Sequence, residues 1–175
     1  AAFSAARRAL ATVAVLDHPA SEAPLSLVTD ASASHVGAVI QQKRPGQGWR
    51  PLGFFSAQLN KAQVNYSAFD RELFAVVAAI RHFRFMLEGR SFVVFTDHKP
   101  LVGALSRRSD PLTARQQRQL SFIAEFAAEI RHIAGQSNVV ADTLSRPAGD
   151  FSSPPPPPPL EDACFAATSI PPPPV

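Results

Sequence analysis

Two short apolar runs stop at the same dipeptide. Leu25–Asp30 reads LSLVTD and Phe92–Asp97 lies within FVVFTDHKPL. A short run that is apolar at nearly every position and rich in Val, Phe and Leu reads as a buried strand. Such strands need cover on their faces, so the chain has to supply a sheet with layers packed against it. Each strand also delivers a carboxylate, Asp30 and Asp97, at its C-terminal end. In an open α/β sheet that edge is where ligands bind.

The remaining pattern supplies the other elements. Val36–Gln42 and Arg50–Ala57 read as strands joined across the turn Arg44-Pro45-Gly46-Gln47-Gly48, so the first three strands form an antiparallel meander. Phe69, Leu73, Val76, Val77, Ile80, Phe83 and Leu87 make a wide helical stripe over 67–87, with Gly89 as its stop. Ser91–Thr96 is the fourth strand. Pro100–Leu105 is a short helix, Thr113–Phe126 a longer one, Glu129–Ile133 a weak fifth strand and Asn138–Ser145 a final helix after Gly135. The order predicts a mixed α/β sheet with helices on its faces. Ahead of it, Ala2–Leu16 can form an amphipathic helix with Phe3, Leu10, Val13 and Leu16 near one face, ended by Asp17-His18-Pro19. From Pro147 the character changes: Pro154–Pro159 and Pro171–Pro174 cannot continue a helix or sheet. A disordered polyproline II tail over 148–175 is the expectation, acting as a linker, with an SH3- or WW-type ligand as the sharper reading.

A length of 175 residues suits one domain with a full core, and 46% apolar content with a mean hydropathy of zero suits a globular one. The net charge of +3 is compatible with a polyanionic partner without demanding one. Cys164 alone cannot build a disulfide framework, which points to a reducing compartment. No run reaches the roughly 18–20 apolar residues of a membrane-spanning helix. The stretch ARRALATVAVLDHPASEA shares arginines, a short apolar run and small residues with signal peptides, but its apolar run is at the short end, and a chain starting without Met looks like a fragment.

Two further acids are oddly placed. Glu72 lies along the edge of the long helix's apolar stripe, and Asp142 follows NVVA in the last helix. Each acid alone has a plain explanation. Asp30 can cap the turn after its strand, Asp97 can be the N-cap of the short helix, Glu72 can be a solvated helix-edge residue, and Asp142 can pair with Arg146 at i, i+4 spacing. Together, two strand ends and two helices can converge on one rim of the sheet. Four clustered carboxylates repel one another unless protons or cations compensate. An oxygen-only set suits Mg²⁺ or Mn²⁺, and no Cys/His set suggests zinc. Two ions about 4 Å apart activate a water and stabilise the leaving oxygen of a phosphodiester, so the chemistry points to metal-assisted phosphoryl hydrolysis.

The segments LVTDAS, GFFSAQLNKAQVNYSAFDRELFAVVAAIRHFRFMLEGRSFVVFTDHKPL and IRHIAGQSNVVADTLSR together resemble the ribonuclease H domain of a gypsy-type LTR retrotransposon reverse transcriptase polyprotein. The resemblance covers about 3–147. It implies a ribonuclease H-like α/β fold with a five-stranded mixed sheet, three antiparallel strands and then two parallel ones, flanked by helices. It also implies a connection from the polymerase over 1–22, the nuclease domain over 23–147, and the tail beyond. Matched motif by motif, the family's metal-binding acids fall on Asp30, Glu72, Asp97 and Asp142. Asp30 and Asp97 bridge or hold the metals, Glu72 holds one, and Asp142 helps hold the other. The implied reaction is hydrolysis of the RNA strand of an RNA–DNA hybrid, leaving a 3′-hydroxyl and a 5′-phosphate. The implied partners are that hybrid and the polymerase domain of the same polyprotein, with no membrane and no haem or nucleotide cofactor. The implied location is intracellular, in a cytoplasmic retroelement particle or the nucleus.

RNA is distinguished through its 2′-hydroxyls by polar groups along a wide minor groove. Ser32, Ser34, Asn65, Tyr66 and Ser67 are candidates for that contact, and Lys99, Arg107, Arg108, Arg115 and Arg118 for phosphates. Several of these also read as solvated helix faces. His98 and His132 are weak candidates for a general acid. Gln and Arg stand in TARQQRQLSF where many members carry a Trp, and the polymerase, protease and integrase motifs are absent. The alternative function is a decayed or domesticated element that keeps the fold only as a nucleic-acid-binding or interaction module. An integrase-type reading is excluded by the order of the acids, since Glu72 precedes Asp97 and lies on the first long helix.

Overall fold

The computed structural model describes residues 16–104, 112–126 and 129–146. Its centre is β1 (Leu25–Ala31), buried at every position but the last. β2 (His35–Arg44) runs antiparallel to β1, and β3 (Gly48–Gln58) antiparallel to β2. Gly46 and Gly48 close the β2–β3 hairpin at φ 71°, a backbone region that glycine enters without strain. On the other side of β1 lie β4 (Phe92–Thr96) and β5 (Glu129–His132), each parallel to its inner neighbour, giving the order β3-β2-β1-β4-β5. The predicted mixed sheet is present, and its strands begin and end within a residue or two of the expected positions.

Alternation along the strands divides the core. Leu25 and Leu27 of β1, Ala38 and Ile40 of β2 and Val94 of β4 face α2 (Ala68–His82), whose Leu73, Val76, Val77 and Ile80 are buried against them. Val28, Val39, Val93 and Phe95 point to the opposite face and meet Ile133 and Ala141, the latter on α6 (Val139–Leu144). Asp30 shares the parity of Val28, so its side chain belongs to the face that α6 covers.

Helices differ from the sequence pattern more than strands do. The stripe over 67–87 is two helices, because α2 ends at His82 and α3 spans Arg84–Leu87. At the break, Met86 N–H donates to the Phe83 carbonyl at 2.8 Å, an i→i+3 bond that tightens the chain. The buried Phe83 ring packs so closely over Gly53 of β3 that a Cβ there would come within 2.9 Å of it. A one-turn helix, α1 (Lys61–Val64), was not expected. Asn60 and Gln63 form a reciprocal capping box at its start. α4 is Lys99–Val102, shorter than Pro100–Leu105 at its end, and Leu105 lies outside the described residues. α5 (Ala114–Phe126) buries only Leu120 and Ile123. It is also held to α2 by Asp70, which accepts from Gln116 Nε2 at 2.9 Å and pairs with Arg115 at 3.3 Å.

The predicted helix over 2–16 lies outside the described residues except for Leu16, which is exposed and not helical, and the proline tail lies outside them entirely. Residues from Asp17 onward are tied to the sheet. Asp17 accepts from Arg44 Nε at 2.7 Å, its N–H donates to the Pro51 carbonyl at 2.8 Å, and Arg90 donates to the carbonyls of Ala20 and Ala23. Among the described residues, no helix is long and apolar enough to cross a membrane.

Candidate metal centre

The β1–β4 pairing joins Leu25 to Phe92 and Val28 to Phe95. Continued past the last pair, that register brings Asp97 beside Asp30, so the two Thr-Asp endings are neighbours on adjacent parallel strands. Glu72, in the second turn of α2, turns toward the same edge. One carboxylate oxygen from each of Asp30, Glu72 and Asp97 lies within 4.8 Å of the other two. Asp30 is 8% exposed and Glu72 6% exposed, while Asp97 is the partly exposed member through which the cluster meets solvent.

Each carboxylate has its own support. Glu72 Oε1 accepts from the Ala31 N–H at 3.1 Å, and Oε2 accepts from the Thr96 hydroxyl at 3.4 Å. Thr96 Oγ1 also accepts from the His98 N–H at 3.1 Å. The Ser145 hydroxyl, from the end of α6, bonds Asp30 Oδ2. Gly135 lies against Asp97, where a Cβ would sit 3.4 Å from Oδ2.

Burial and mutual repulsion set the charge state. Burial, followed by the charges of Asp30 and Asp97, pushes Glu72 up to about 8 from an ordinary 4.5. Asp30 is raised mainly by burial, with the Ser145 bond opposing and the charges of Asp97 and Asp142 adding to the rise. Burial also lowers His98, against the neighbouring Asp97 charge. Neutral water therefore does not keep Glu72 fully ionised, and positive charge brought among these oxygens relieves the repulsion. The donor set is oxygen-only and reaches solvent on the Asp97 side, which fits a hard divalent cation such as Mg²⁺ or Mn²⁺.

The fourth expected ligand stands apart. Asp142 is outside the cluster of three and is held by Arg146 at 2.5 Å, the i, i+4 pair that its spacing allows. It is still near enough for its charge to act on Asp30. Two of the plainer explanations fail. Position N-cap of α4 is His98, with no side-chain bond, so Asp97 does not cap that helix. Glu72 is buried rather than a solvated helix-edge residue.

Several of the other candidates have structural partners. Ser32 closes the β1–β2 turn, its Oγ accepting from the His35 N–H at 2.9 Å, and Ser34 Oγ contacts His35 Nδ1 at 3.0 Å. Ser67 is the N-cap of α2, accepting from the Asp70 N–H at 3.1 Å. Asn65 Nδ2 donates to the Lys61 carbonyl, and the Tyr66 ring lies under the Arg115 guanidinium at 3.9 Å. Lys99, Arg118 and His132 are exposed, while Arg107 and Arg108 lie outside the described residues. Sequence reasoning missed Ser145, whose bond to Asp30 spans 115 positions and leaves no local signal.

With this geometry in hand, the likenesses to known proteins are informative. Residues 20–126 match the RNase H-like domain found in reverse transcriptase. The chain is 37% identical over 142 residues to the Transposon Tf2-3 polyprotein of Schizosaccharomyces pombe, an alignment covering 80% of this chain and 11% of that one. The Tf2-4 polyprotein of the same organism matches equally, so the chain spans about a tenth of the length of these curated relatives. Among solved structures, LC11-RNase H1 in complex with an RNA/DNA hybrid superposes with a TM-score of 0.54 at 18% identity, covering 69% of this chain and 92% of that one. A foamy viral protease-reverse transcriptase in complex with an RNA/DNA hybrid gives a TM-score of 0.53 at 16% identity, covering 82% of this chain and 19% of that one. At those identities the structural likeness concerns the fold. The match over 20–126 and the ribonuclease H sheet agree, and the chain belongs to the family of RNase H-like domains found in reverse transcriptases.

Proposed function

We propose that this chain is the ribonuclease H module of a gypsy-type LTR retrotransposon polyprotein, a divalent-metal-dependent endonuclease that hydrolyses the RNA strand of an RNA–DNA hybrid. The observation that carries the reading is the meeting of Asp30, Glu72 and Asp97 within 4.8 Å at the ends of two parallel strands and one helix. Family membership supports it, and so do the RNA/DNA hybrids held by the related structures.

Asp30, Glu72 and Asp97 would hold two Mg²⁺ or Mn²⁺ ions, joined by Asp142 from the rim. Bound divalent ions supply positive charge for ionising an attacking water and for carrying the charge of the departing oxygen. The protein's part is to hold the oxygens still. The Ala31 N–H and Thr96 hydroxyl fix both oxygens of Glu72, and Ser145 fixes one of Asp30. Arg146, only half buried, gives up Asp142 at little cost, because an exposed i, i+4 pair is worth about 0.3–0.5 kcal/mol. The cleaved RNA is left with a 3′-hydroxyl and a 5′-phosphate.

The hybrid lies over the open edge in this reading. The turn holding Ser32 and Ser34, which follows Asp30 in the chain, and the segment Asn65–Ser67, which leads into the helix of Glu72, offer polar groups to 2′-hydroxyls. Lys99, Arg115 and Arg118 meet phosphates, together with Arg107 and Arg108. The module works beside the polymerase domain of the same polyprotein, with 1–22 as the connection and 23–147 as the nuclease, in a cytoplasmic particle or the nucleus.

Cleavage of a hybrid labelled on its RNA strand tests the proposal. With Mg²⁺ the chain cuts the RNA, and Asp97→Asn lowers the rate by roughly 100-fold or more, beyond the loss typical of a metal ligand's supporting residue. Absence of cleavage together with absence of metal binding refutes the nuclease. Tight hybrid binding that ignores both metal and Asp97→Asn favours the binding-module alternative.

A further inference from the structure

Ser145 is fully buried at the C-terminal end of α6. Its Oγ contacts Asp30 Oδ2 and also lies 2.9 Å from the Asp142 carbonyl. A serine at a helix end commonly bonds a carbonyl one turn back, and that contact alone would be local housekeeping. The contact to Asp30 is different, because it joins the last helix to the first strand at the acid cluster itself.

The surroundings fix that junction closely. Asp30 faces Gly37 across the β1–β2 ladder. A Cβ on Gly37 would come within 2.4 Å of the Ala141 carbonyl oxygen and 2.6 Å of the Ser145 nitrogen, so α6 lies directly on the backbone beside Asp30. Asn138 Nδ2 donates to the Thr29 carbonyl at 3.2 Å before the helix, and Ser56 Oγ donates to the Leu144 carbonyl at 2.6 Å at its end. The helix is therefore pinned to the sheet at both ends, to β1 beside Asp30 at its start and to β3 at its end, and Ser145 is the contact that touches a cluster carboxylate.

We propose that Ser145 is a positioning residue of the metal centre. Its hydroxyl holds Oδ2 of Asp30 and couples that carboxylate to α6, so Asp30 and Asp142 are set as one unit. This rests on the metal-dependent reading above. A hydroxyl has a single proton to donate, and donating it to Asp30 restrains one carboxylate oxygen while the other stays available. Partners of this kind orient a ligand, and their loss typically lowers metal affinity 10–100-fold.

Calorimetric titration of Mn²⁺ into the parent, Ser145→Ala and Ser145→Cys tests the role, with melting in EDTA as the control for folding. The alanine variant removes the hydroxyl, and the cysteine variant keeps the volume with a weak donor, so one reports if the other fails to fold. The expected result is Mn²⁺ affinity weakened by about 10-fold or more in folded variants. A kcat for hybrid cleavage that falls while KM for the hybrid stays unchanged is expected alongside it. Affinity within about two-fold of the parent overturns the proposal, even if the variants melt earlier, because that pattern belongs to a purely structural serine. A parent that binds no Mn²⁺ overturns this role and the metal-dependent reading together. A parent that binds with variants that bind equally well overturns the Ser145 role alone.

Discussion

Glu72 is a carboxyl group in surroundings that favour its neutral form. It is 6% exposed, and Asp30 and Asp97 crowd it. Its pKa of about 8 in the folded chain lies above the ordinary 4.5. Between those values the folded chain keeps a proton that the unfolded chain has shed, so unfolding free energy falls as pH rises through the window. Below it, both forms are protonated and the stability is whole. Above it, both are ionised and the loss is complete, amounting to a few kcal/mol at about 1.4 kcal/mol per pH unit. Asp30 is raised as well and acts in the same direction. In EDTA, the parent should therefore melt at progressively lower temperature from pH 5 to pH 8, as ~3 units of the window are crossed. Glu72→Gln should flatten this slope and melt above the parent at the alkaline end. Equal slopes for the two proteins would show that Glu72 does not carry the linkage.

At the scale of elements, the site depends on how closely α6 and α2 approach the sheet. Gly37→Ala sets a methyl against helix backbone at 2.4 Å, which a rotamer change cannot relieve. Overpacking of this kind costs about 1–3 kcal/mol. Gly53→Ala meets the edge of the Phe83 ring at 2.9 Å, a side chain with more freedom to move. Urea denaturation should thus show the larger loss for Gly37→Ala, and only that variant should also weaken Mn²⁺ binding, because only it displaces Asp142 and Ser145. Asp70 governs the other helix junction. Asp70→Ala strands Gln116 and Arg115 on α5 and removes a charge-assisted contact, costing about 1–3 kcal/mol with Mn²⁺ affinity retained. The strands were legible in sequence because LSLVTD and FVVFTD are short, nearly continuous apolar runs, the pattern of strands buried on both faces. The Asp142–Arg146 pair was legible too, since i, i+4 spacing is local. The break at Phe83 was not, because it comes from a ring seated on Gly53, a contact between distant elements. α1 carried a readable capping box in Asn60 and Gln63, but one turn of helix shows no apolar period. Three of the four acids converge as their positions implied. The separation of Asp142 depends on where α6 comes to rest, which Gly37, Asn138 and Ser56 decide from far along the chain.

At the scale of the molecule, β1 links two ends with opposite character. At its start, Lys43 N–H donates to the Pro24 carbonyl, and the Asp17–Arg44 pair and Arg90 fasten the incoming segment. At its finish, the acid cluster works against the fold by repulsion and burial. Both ends share one strand that is buried on both faces, so the domain should lose them in a single cooperative step. A divalent cation bound at one end would then stabilise the whole. A ligand that binds only the folded form adds about 2.7 kcal/mol at a concentration 100 times its dissociation constant. Urea unfolding should accordingly be two-state, with Mn²⁺ moving the midpoint upward while the slope m stays constant, since the surface exposed does not change. Asp97→Asn should abolish that shift, yet be at least as stable as the parent in EDTA, because it removes a carboxylate whose charge opposes ionisation of both Asp30 and Glu72. If Mn²⁺ protected only the amides around β1 and α6 from exchange and left the urea midpoint unmoved, the site would be opening apart from the rest of the sheet. The buried strand β1, common to the fastened incoming segment and the site, argues for the cooperative outcome.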